Sequence, residues 1–570
     1  MPGLAVLFRY DRSQLPSDGL AALVVAVVLI PSAIAYADLA KCAPAAGLYA
    51  AVAGMVVYAL FASSRHVIVG PDAAIALLVG TAIGPLAMGD PGKAVTLATV
   101  LALLTAGVLL LMARLRLGIA ADFLSSPALL GFMNGAAVVI IGSQIGKLCG
   151  ISLTEDNTLL RFWQWGTRLG SIHVRTILIG LSCIAVLAGC RWKLPSVPGA
   201  VVVFALAMIA GRFIDFSAYG MQVIGKIDLN LPDPIRPGLS LNEAAPLFTA
   251  ALGIALLVFS EGVVLGRSVA AKHGYAIDPD RELLALGMAN VAAGCVCSFA
   301  VSSSQSRTLL NDATGGRTQM VSFVTAAFVA AFVILLNPLL ATIPSVAIAA
   351  ILVFTGITLI DAGLYRHLWQ LHRFSCGVAA TTTIGVIALG VLQGILLGVV
   401  LSLLGVLAEI VRPQDALLGC IAGSSTLHDV GDDEAAVTIP GLVVYRFYGP
   451  LIFANVRFFI ERIEAFIAQE KEPVRQVIVD ARAIPNIDIT ATEQLSEFVT
   501  RLHQRGIDFV IAKAHLPLRE TMASLGGALD GCWRFGHISD AITAFKNEPP
   551  RTNNSENASP TVSNPSVPSP

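Results

Sequence analysis

The chain has 570 residues, 55% of them hydrophobic and 13% charged, with a formal net charge of -1 and a mean hydropathy of +0.76. A soluble protein of this length needs more charge to stay dispersed, so lipid must solvate much of it. Near-neutral charge gives nucleic acid no electrostatic hold. The nine cysteines are scattered; the closest pair, Cys295 and Cys297, are alternate residues, which make no zinc site and read as packing residues.

The first 18 residues are too polar and broken for a cleaved signal. A hydrocarbon core of about 30 Å needs about 20 apolar helical residues. On that ruler about fourteen spans fill residues 19–411. They begin near Gly19, Pro44, Val67, Ala94, Ser125, Val174, Ser196, Ala245, Arg281, Ala300, Met320, Ile343, Gly377 and Gly394. With both termini cytoplasmic, the inside loops carry Arg9, Arg12, Arg65, Arg114, Arg116, Arg191, Lys193, Arg267, Lys272, Arg281, Arg317, Arg366, Arg373 and Arg412. The short outside turns hold almost no basic residue beyond Lys93, and the longer outside loops 147–173 and 214–243 mix both signs. This alternation obeys the positive-inside rule and requires an even number of spans.

Two segments, 67–88 and 300–314, look short or interrupted for a complete crossing. In the first, Arg65 to Ala74, a brief extended stretch reaches Gly70-Pro71 and then a half-helix with Pro71 in its first turn. In the second, Ser298 to Arg307, the chain is extended and turns helical after the serine run. Interrupted spans in corresponding places of two halves are the sequence pointer to a transporter site on an inverted repeat. Non-helical backbone at membrane depth is tolerated only where protein buries it or it lines a cavity. Half-helix N-termini facing each other would aim free N–H groups and positive dipole ends at one point, which favours an anion. Ser304 and Ser306 could add hydroxyl donors and Arg307 a fixed charge. The competing reading is a capping loop whose arginine reaches the cytoplasmic surface. Asp72 either caps the half-helix or takes part in coupling.

Glu261 lies near the middle of an apolar helix from about Ala245 to Ala271. A charge at the bilayer centre costs about 2.5–3.5 kcal/mol on insertion scales, so a carboxyl there reads as a proton carrier; a structural pairing is the alternative.

After Arg412-Pro413 the composition becomes that of a soluble domain. Residues 443–447, 477–479 and 509–511 read as strands, and Asn455–Gln469 and Thr490–His503 as helices, a small α/β unit. It holds no nucleophile–base set, P-loop or metal cluster, so neither an enzyme nor a cofactor is expected. The tail 547–570 is polar and proline-rich and is expected to be disordered. The expected domains are a cytoplasmic N-terminus 1–18, a transport domain 19–411, a linker 412–434, the soluble domain 435–546 and that tail.

Four motifs in order carry a family resemblance: Ile30 to Ala40 followed by Gly47-Leu48-Tyr49; Ser64-Arg65-His66 through Gly70-Pro71; Ser306-Arg307-Thr308 through Gly315-Gly316-Arg317-Thr318; and, in the soluble domain, Gly449 to Asn455 with Asp480 to Asp488. The chain resembles the SulP anion transporters, bacterial relatives of the mammalian SLC26 group, and its soluble part resembles the STAS domain of that family. The resemblance implies an all-α membrane domain built as a seven-plus-seven inverted repeat, as in uracil permeases. A core of helices 1–4 and 8–11 then moves elevator-fashion against a gate of helices 5–7 and 12–14. It implies a homodimer in the bacterial inner membrane and no nucleic-acid partner. Substrate residues carry over to Ser32, Tyr36, Asp72, Ala73, Ser304, Gln305, Ser306 and Arg307, and the proton carrier to Glu261. Sodium is the alternative coupling ion, used by members with aspartate at that place. Asp72 stands where many members have an uncharged residue, and the serine run at 302–304 is unusually polar. The expected function is proton-coupled secondary transport of sulfate, bicarbonate or a dicarboxylate; the alternatives are an uncoupled channel or exchanger, or a nucleobase permease. Asp488-Ile489-Thr490 lies where related regulators carry a phosphorylation loop, and Thr490 reads as a helix N-cap.

Overall fold

The computed structural model describes residues 10–547 apart from 119–124, 156, 195–196, 226–240, 422–425, 434 and 526–527. The expectations for residues 1–9, for a span starting at Ser196 and for a disordered tail over 548–570 lie outside the described residues. The chain divides into two compact units after Leu403.

Among the described residues, the membrane unit has fourteen helices where the spans are expected. They are α1 (Leu15–Leu39), α2 (Pro44–Phe61), α3 (Ala73–Ala87), α4 (Pro91–Arg114), α5 (Ser126–Cys149), α6 (Val174–Lys193) and α7 (Gly199–Phe213), then α8 (Leu241–Lys272), α9 (Pro279–Cys295), α10 (Gln305–Ala313), α11 (Met320–Leu340), α12 (Ser345–Leu359), α13 (Arg373–Leu389) and α14 (Val391–Val411). Amphipathic connecting helices at Thr158–Thr167 and Ala362–Leu371 were not foreseen, because each is too short for periodicity to stand out. Nine helices among the described residues are long and apolar enough to cross a bilayer unaided. The third and tenth spans are the interrupted ones: β1 (Val69–Gly70) precedes α3, and β2 (Ser302–Ser303) precedes α10.

Packing sorts the spans into two bundles. In one, α9 packs on α2 and α4, α11 on α1 and α2, and α8 on α3 and α4; in the other, α5 packs on α12 and α13, and α6 on α7 and α12. These are the core and gate of the seven-plus-seven fold. Small residues let the helices approach closely. A Cβ at Gly47 would stand 2.0 Å from the Ala33 carbonyl oxygen, and one at Gly80 2.0 Å from that of Leu39. Glycine is therefore required where α2 and α3 meet α1.

The second unit is an α/β sheet with strand order β4 (Leu427–Asp429), β3 (Asp415–Cys420), β5 (Leu442–Phe447), β6 (Gln476–Asp480) and β7 (Asp508–Ala512). β5, β6 and β7 run parallel; β3 pairs antiparallel with β4 and β5. The period of two sends Val443, Tyr445, Val477, Val479, Phe509 and Ile511 to a face covered by α15 (Val456–Gln469), α16 (Ile489–Gln504) and α17 (Leu516–Leu525). Val444, Ile478 and Val510 face Ala541, Ile542 and Phe545 of α18 (Ile538–Asn547). Thr490 is not the N-cap of α16. Asp488 holds that position, its carboxylate accepting from Ala491 N at 2.7 Å, because a carboxylate also favours the positive end of the helix.

Candidate functional site

The two interrupted spans meet. β1 and β2 form an antiparallel ladder with Val69 opposite Ser303 and Gly70 opposite Ser302. A half-helix leaves each strand, so the N-termini of α3 and α10 flank the ladder. So short a ladder leaves most neighbouring backbone groups without strand partners, and side chains supply them. Asn290 Nδ2 donates to the Val301 carbonyl at 3.0 Å and its Oδ1 accepts from Val301 N at 2.9 Å. Thr308 Oγ1 accepts from Ile68 N at 3.0 Å, and Ser304 N donates to the Ile68 carbonyl at 3.0 Å. Asn311 Nδ2 donates to His66 O at 2.8 Å, and Gln319 Nε2 to Ser64 O at 3.0 Å and Val67 O at 2.9 Å. Asn290, Thr308, Asn311 and Gln319 are all buried. Sequence reasoning missed them; a lone Asn290 in the apolar stretch of α9 was the available signal.

Around the ladder stand the anticipated residues. Pro71 lies outside α3, not in its first turn. Asp72 is the N-cap, its side chain accepting from Ala74 N at 3.1 Å, and the helix begins at Ala73. Arg307 is 2% exposed, and its Nη2 donates to the Pro71 carbonyl at 2.6 Å, tying α10 to the start of α3. It does not reach the cytoplasmic surface. Arg307 Nε and the Ser303 hydroxyl are buried with no hydrogen-bond partner in the protein. Tyr36, Asp72 and Arg307 lie within electrostatic reach of one another, and Glu261 within reach of Asp72. Ser302 Oγ donates to Glu261 Oε2 at 3.4 Å, joining the middle of α8 to the ladder. Ser304, at the N-cap position of α10, places its hydroxyl 3.4 Å from that of Ser306. Gln305 and Ser306 are exposed. Ser32 is turned to its own helix, donating to Val28 O at 3.0 Å and Leu29 O at 2.9 Å. Unpartnered buried donors between two helix N-termini can hold an oxyanion.

The model of the sulfate permease family matches residues 15–382, and that of the STAS domain residues 435–541. The chain belongs to the sulfate permease family. A relative named as a probable sulfate transporter of Mycobacterium tuberculosis is 36% identical over 548 residues, covering 96% of this chain and 98% of its own. Two solved structures share the fold. That of SLC26A9 aligns with a TM-score of 0.87 at 21% identity, covering 96% of this chain and 92% of its own. That of the murine Slc26a9 anion transporter aligns at 0.85 and 20%, covering 96% and 94%. The permease is therefore a multi-pass anion transporter with a C-terminal STAS domain.

Proposed function

We propose that this permease is a proton-coupled secondary transporter of a small oxyanion, with the cargo held at the β1–β2 ladder. The observation that carries this reading is the pair of buried donors, Arg307 Nε and Ser303 Oγ, left without protein partners between the N-termini of α3 and α10. Sulfate leads among the candidate cargoes because the relatives carry that name; bicarbonate and dicarboxylates fit the same donors. Tyr36, Asp72, Ala73, Ser304, Gln305 and Ser306 complete the site, with Ser32 one turn before Tyr36 on α1.

Coupling follows from charge. Arg307 lies within electrostatic reach of Asp72, and Asp72 within reach of Glu261, so the three side chains together carry a net negative charge that opposes an anion. A proton on Glu261 cancels it, and the anion enters on better terms once the proton is bound. Movement of the α1–α4 and α8–α11 bundle against the other would carry the site across, with both termini cytoplasmic, in a homodimer of the bacterial inner membrane.

The test is uptake of sulfate, bicarbonate and fumarate into proteoliposomes under an inward proton gradient, with Arg307→Ala and Glu261→Gln alongside. Gradient-dependent uptake of one anion, lost in both variants, is expected. Uptake indifferent to the gradient and to Glu261→Gln overturns the proton assignment in favour of a channel or exchanger. Competition by uracil and not by sulfate moves the protein to the nucleobase permeases.

A further inference from the structure

We infer that the connecting helix Ala362–Leu371, between α12 and α13, is a docking site for anionic phospholipid of the cytoplasmic leaflet. Trp369, Leu371 and Phe374 enter the acyl boundary there, and Arg366 and Arg373 take the headgroup phosphate. The site belongs to the bundle that does not contain the ladder, and it does not depend on the cargo.

The helix is two-faced. At about 100° per residue, Leu364, Leu368, Trp369 and Leu371 fall on one side and Arg366, His367 and Gln370 on the other. One edge is pinned to the bundle. Tyr365 OH donates to the Ala379 carbonyl of α13 at 3.1 Å, and Asp361 N donates to Asn134 Oδ1 of α5 at 3.0 Å. The rest of the apolar side is open: Trp369 is 60% exposed, Leu371 69%, and Phe374, at the start of α13, 55%.

The lengths of the neighbouring spans say what covers it. α12 has 15 residues and α13 has 17. At about 1.5 Å per residue they reach about 22 and 26 Å, short of a hydrocarbon core of about 30 Å. Ile360 and His372 are extended and break the connecting helix from both spans. Spans this short hold their connection at headgroup depth, where apolar side chains meet acyl chains and tryptophan is favoured. The first half repeats the device. Between α5 and α6, seven spans earlier, the helix Thr158–Thr167 exposes Leu159, Leu160 and Trp163. An odd offset puts the two helices on opposite faces of the membrane.

Charge selects the lipid. Arg366 and Arg373 are exposed, and among the described residues neither has a carboxylate partner. The Arg373 guanidinium stands 5.8 Å from the centroid of the Trp369 ring, which sets a cation beside the side chain that enters the bilayer. Asp361 is committed to the start of the helix, its Oδ1 accepting from Leu364 N at 2.9 Å. A guanidinium with free N–H groups matches a phosphate. The positive-inside rule turns this loop to the cytoplasmic leaflet, whose negative surface potential draws arginine to it.

The test places the full chain in phosphatidylcholine nanodiscs containing a minor fraction of lipid with brominated acyl chains, either phosphatidylglycerol or phosphatidylcholine. The difference in fluorescence between wild type and Trp369→Phe isolates the Trp369 emission. Both brominated lipids should quench it. Each arginine near an anionic surface contributes about fivefold to association, so phosphatidylglycerol should be preferred by about tenfold or more at low salt, and less as salt rises. The double variant Arg366→Gln with Arg373→Gln should lose that preference, and Arg366→Lys with Arg373→Lys should keep most of it. Trp369 unquenched by either lipid overturns the inference and moves this face to a protein partner. Equal quenching by the two lipids in the wild type, or a preference unchanged in the glutamine variant, overturns the headgroup site. If the glutamine variant does not fold, the wild-type comparison decides alone. No transport is read, so the outcome stands apart from the cargo and its coupling.

Discussion

Glu282 offers a sharp test of how the ladder is held. It is 1% exposed in α9, and its carboxylate gathers four donors from the segment before β1. Tyr58 OH donates to Oε2 at 2.6 Å; Ser63 N at 2.9 Å, Ser63 Oγ at 2.6 Å and Ser64 N at 2.8 Å donate to Oε1. Hydrogen bonds to a charged group contribute about 1.5–3 kcal/mol each, and an orphaned buried donor costs about 1–3 kcal/mol. Ser63 is half-buried and can turn to water, so only the Tyr58 hydroxyl and Ser64 N stay orphaned in Glu282→Ala. Relief of the carboxylate's own desolvation offsets part of the loss. The expected cost is about 3 kcal/mol for Glu282→Ala, about 1–2 for Glu282→Gln, which keeps an oxygen for the three-donor side, and about 1–2 for Tyr58→Phe. Steric trapping in bicelles measures these differences at equilibrium. An alanine variant within 1 kcal/mol of wild type would refute the reasoning, as would a Tyr58→Phe variant less stable than Glu282→Ala.

Asn290→Leu removes both partners of Val301 and should abolish sulfate uptake while leaving the protein in the membrane, measured by transport against surface-labelled protein. Gly80→Val should give no monodisperse protein on size exclusion, since even a Cβ would meet the Leu39 oxygen at 2.0 Å. In the STAS domain, Asp480 is wholly buried beneath Arg446, with Nη2 at 2.7 Å. Asp480→Ala should destabilise that domain by about 2–4 kcal/mol, read as earlier proteolysis of the STAS domain in the full chain. Burial pushes the Cys532 thiol up to about 11, so on the order of one in a thousand is thiolate at pH 8. Native protein should therefore leave Cys532 unalkylated by iodoacetamide at pH 8, with labelling rising as the pH approaches the raised pKa or on unfolding; peptide mapping reads it out.

Much of the fold was legible because the bilayer imposes one strong period. Spans beginning at Pro44, Val174 and Met320 appear at those residues, since proline, a long apolar run or a preceding polar turn marks each start. The STAS strands were legible from β-branched runs, whereas β3, with Leu417 and Leu418 beside a glycine and a cysteine, gave no such signal. The interrupted spans were legible through Gly70-Pro71 and the serine run, but the start of α3 was placed too early. Asp72 caps better than Pro71 begins, and no local pattern ranks the two. Arg307 stood out as a charge, but its bond to the Pro71 carbonyl joins residues 236 positions apart, and no periodicity carries that.

The same long-range bonds bear on which parts of the site can move. The partners of the ladder come from α9, from α10 and from Gln319 at the start of α11, all in the bundle that contains the ladder itself. Ser298 Oγ donates to Ala46 O at 2.6 Å, and Thr325 Oγ1 to Ala22 O at 3.2 Å, again within that bundle. Between α1 and α5 the described polar link is Asp38 with Lys147 and Gln144. A site whose backbone groups are all satisfied from one side can shift with that side without breaking a hydrogen bond at membrane depth, where each broken bond costs several kcal/mol. Had Asn290 or Gln319 belonged to the other bundle, moving the bundles past each other would strip those partners from Val301 and Val67. The distribution of partners therefore favours rigid displacement of the ladder with its bundle over local opening of β1 from β2. A disulfide joining α1 to α5 at Asp38 and Lys147 should then stop transport until it is reduced.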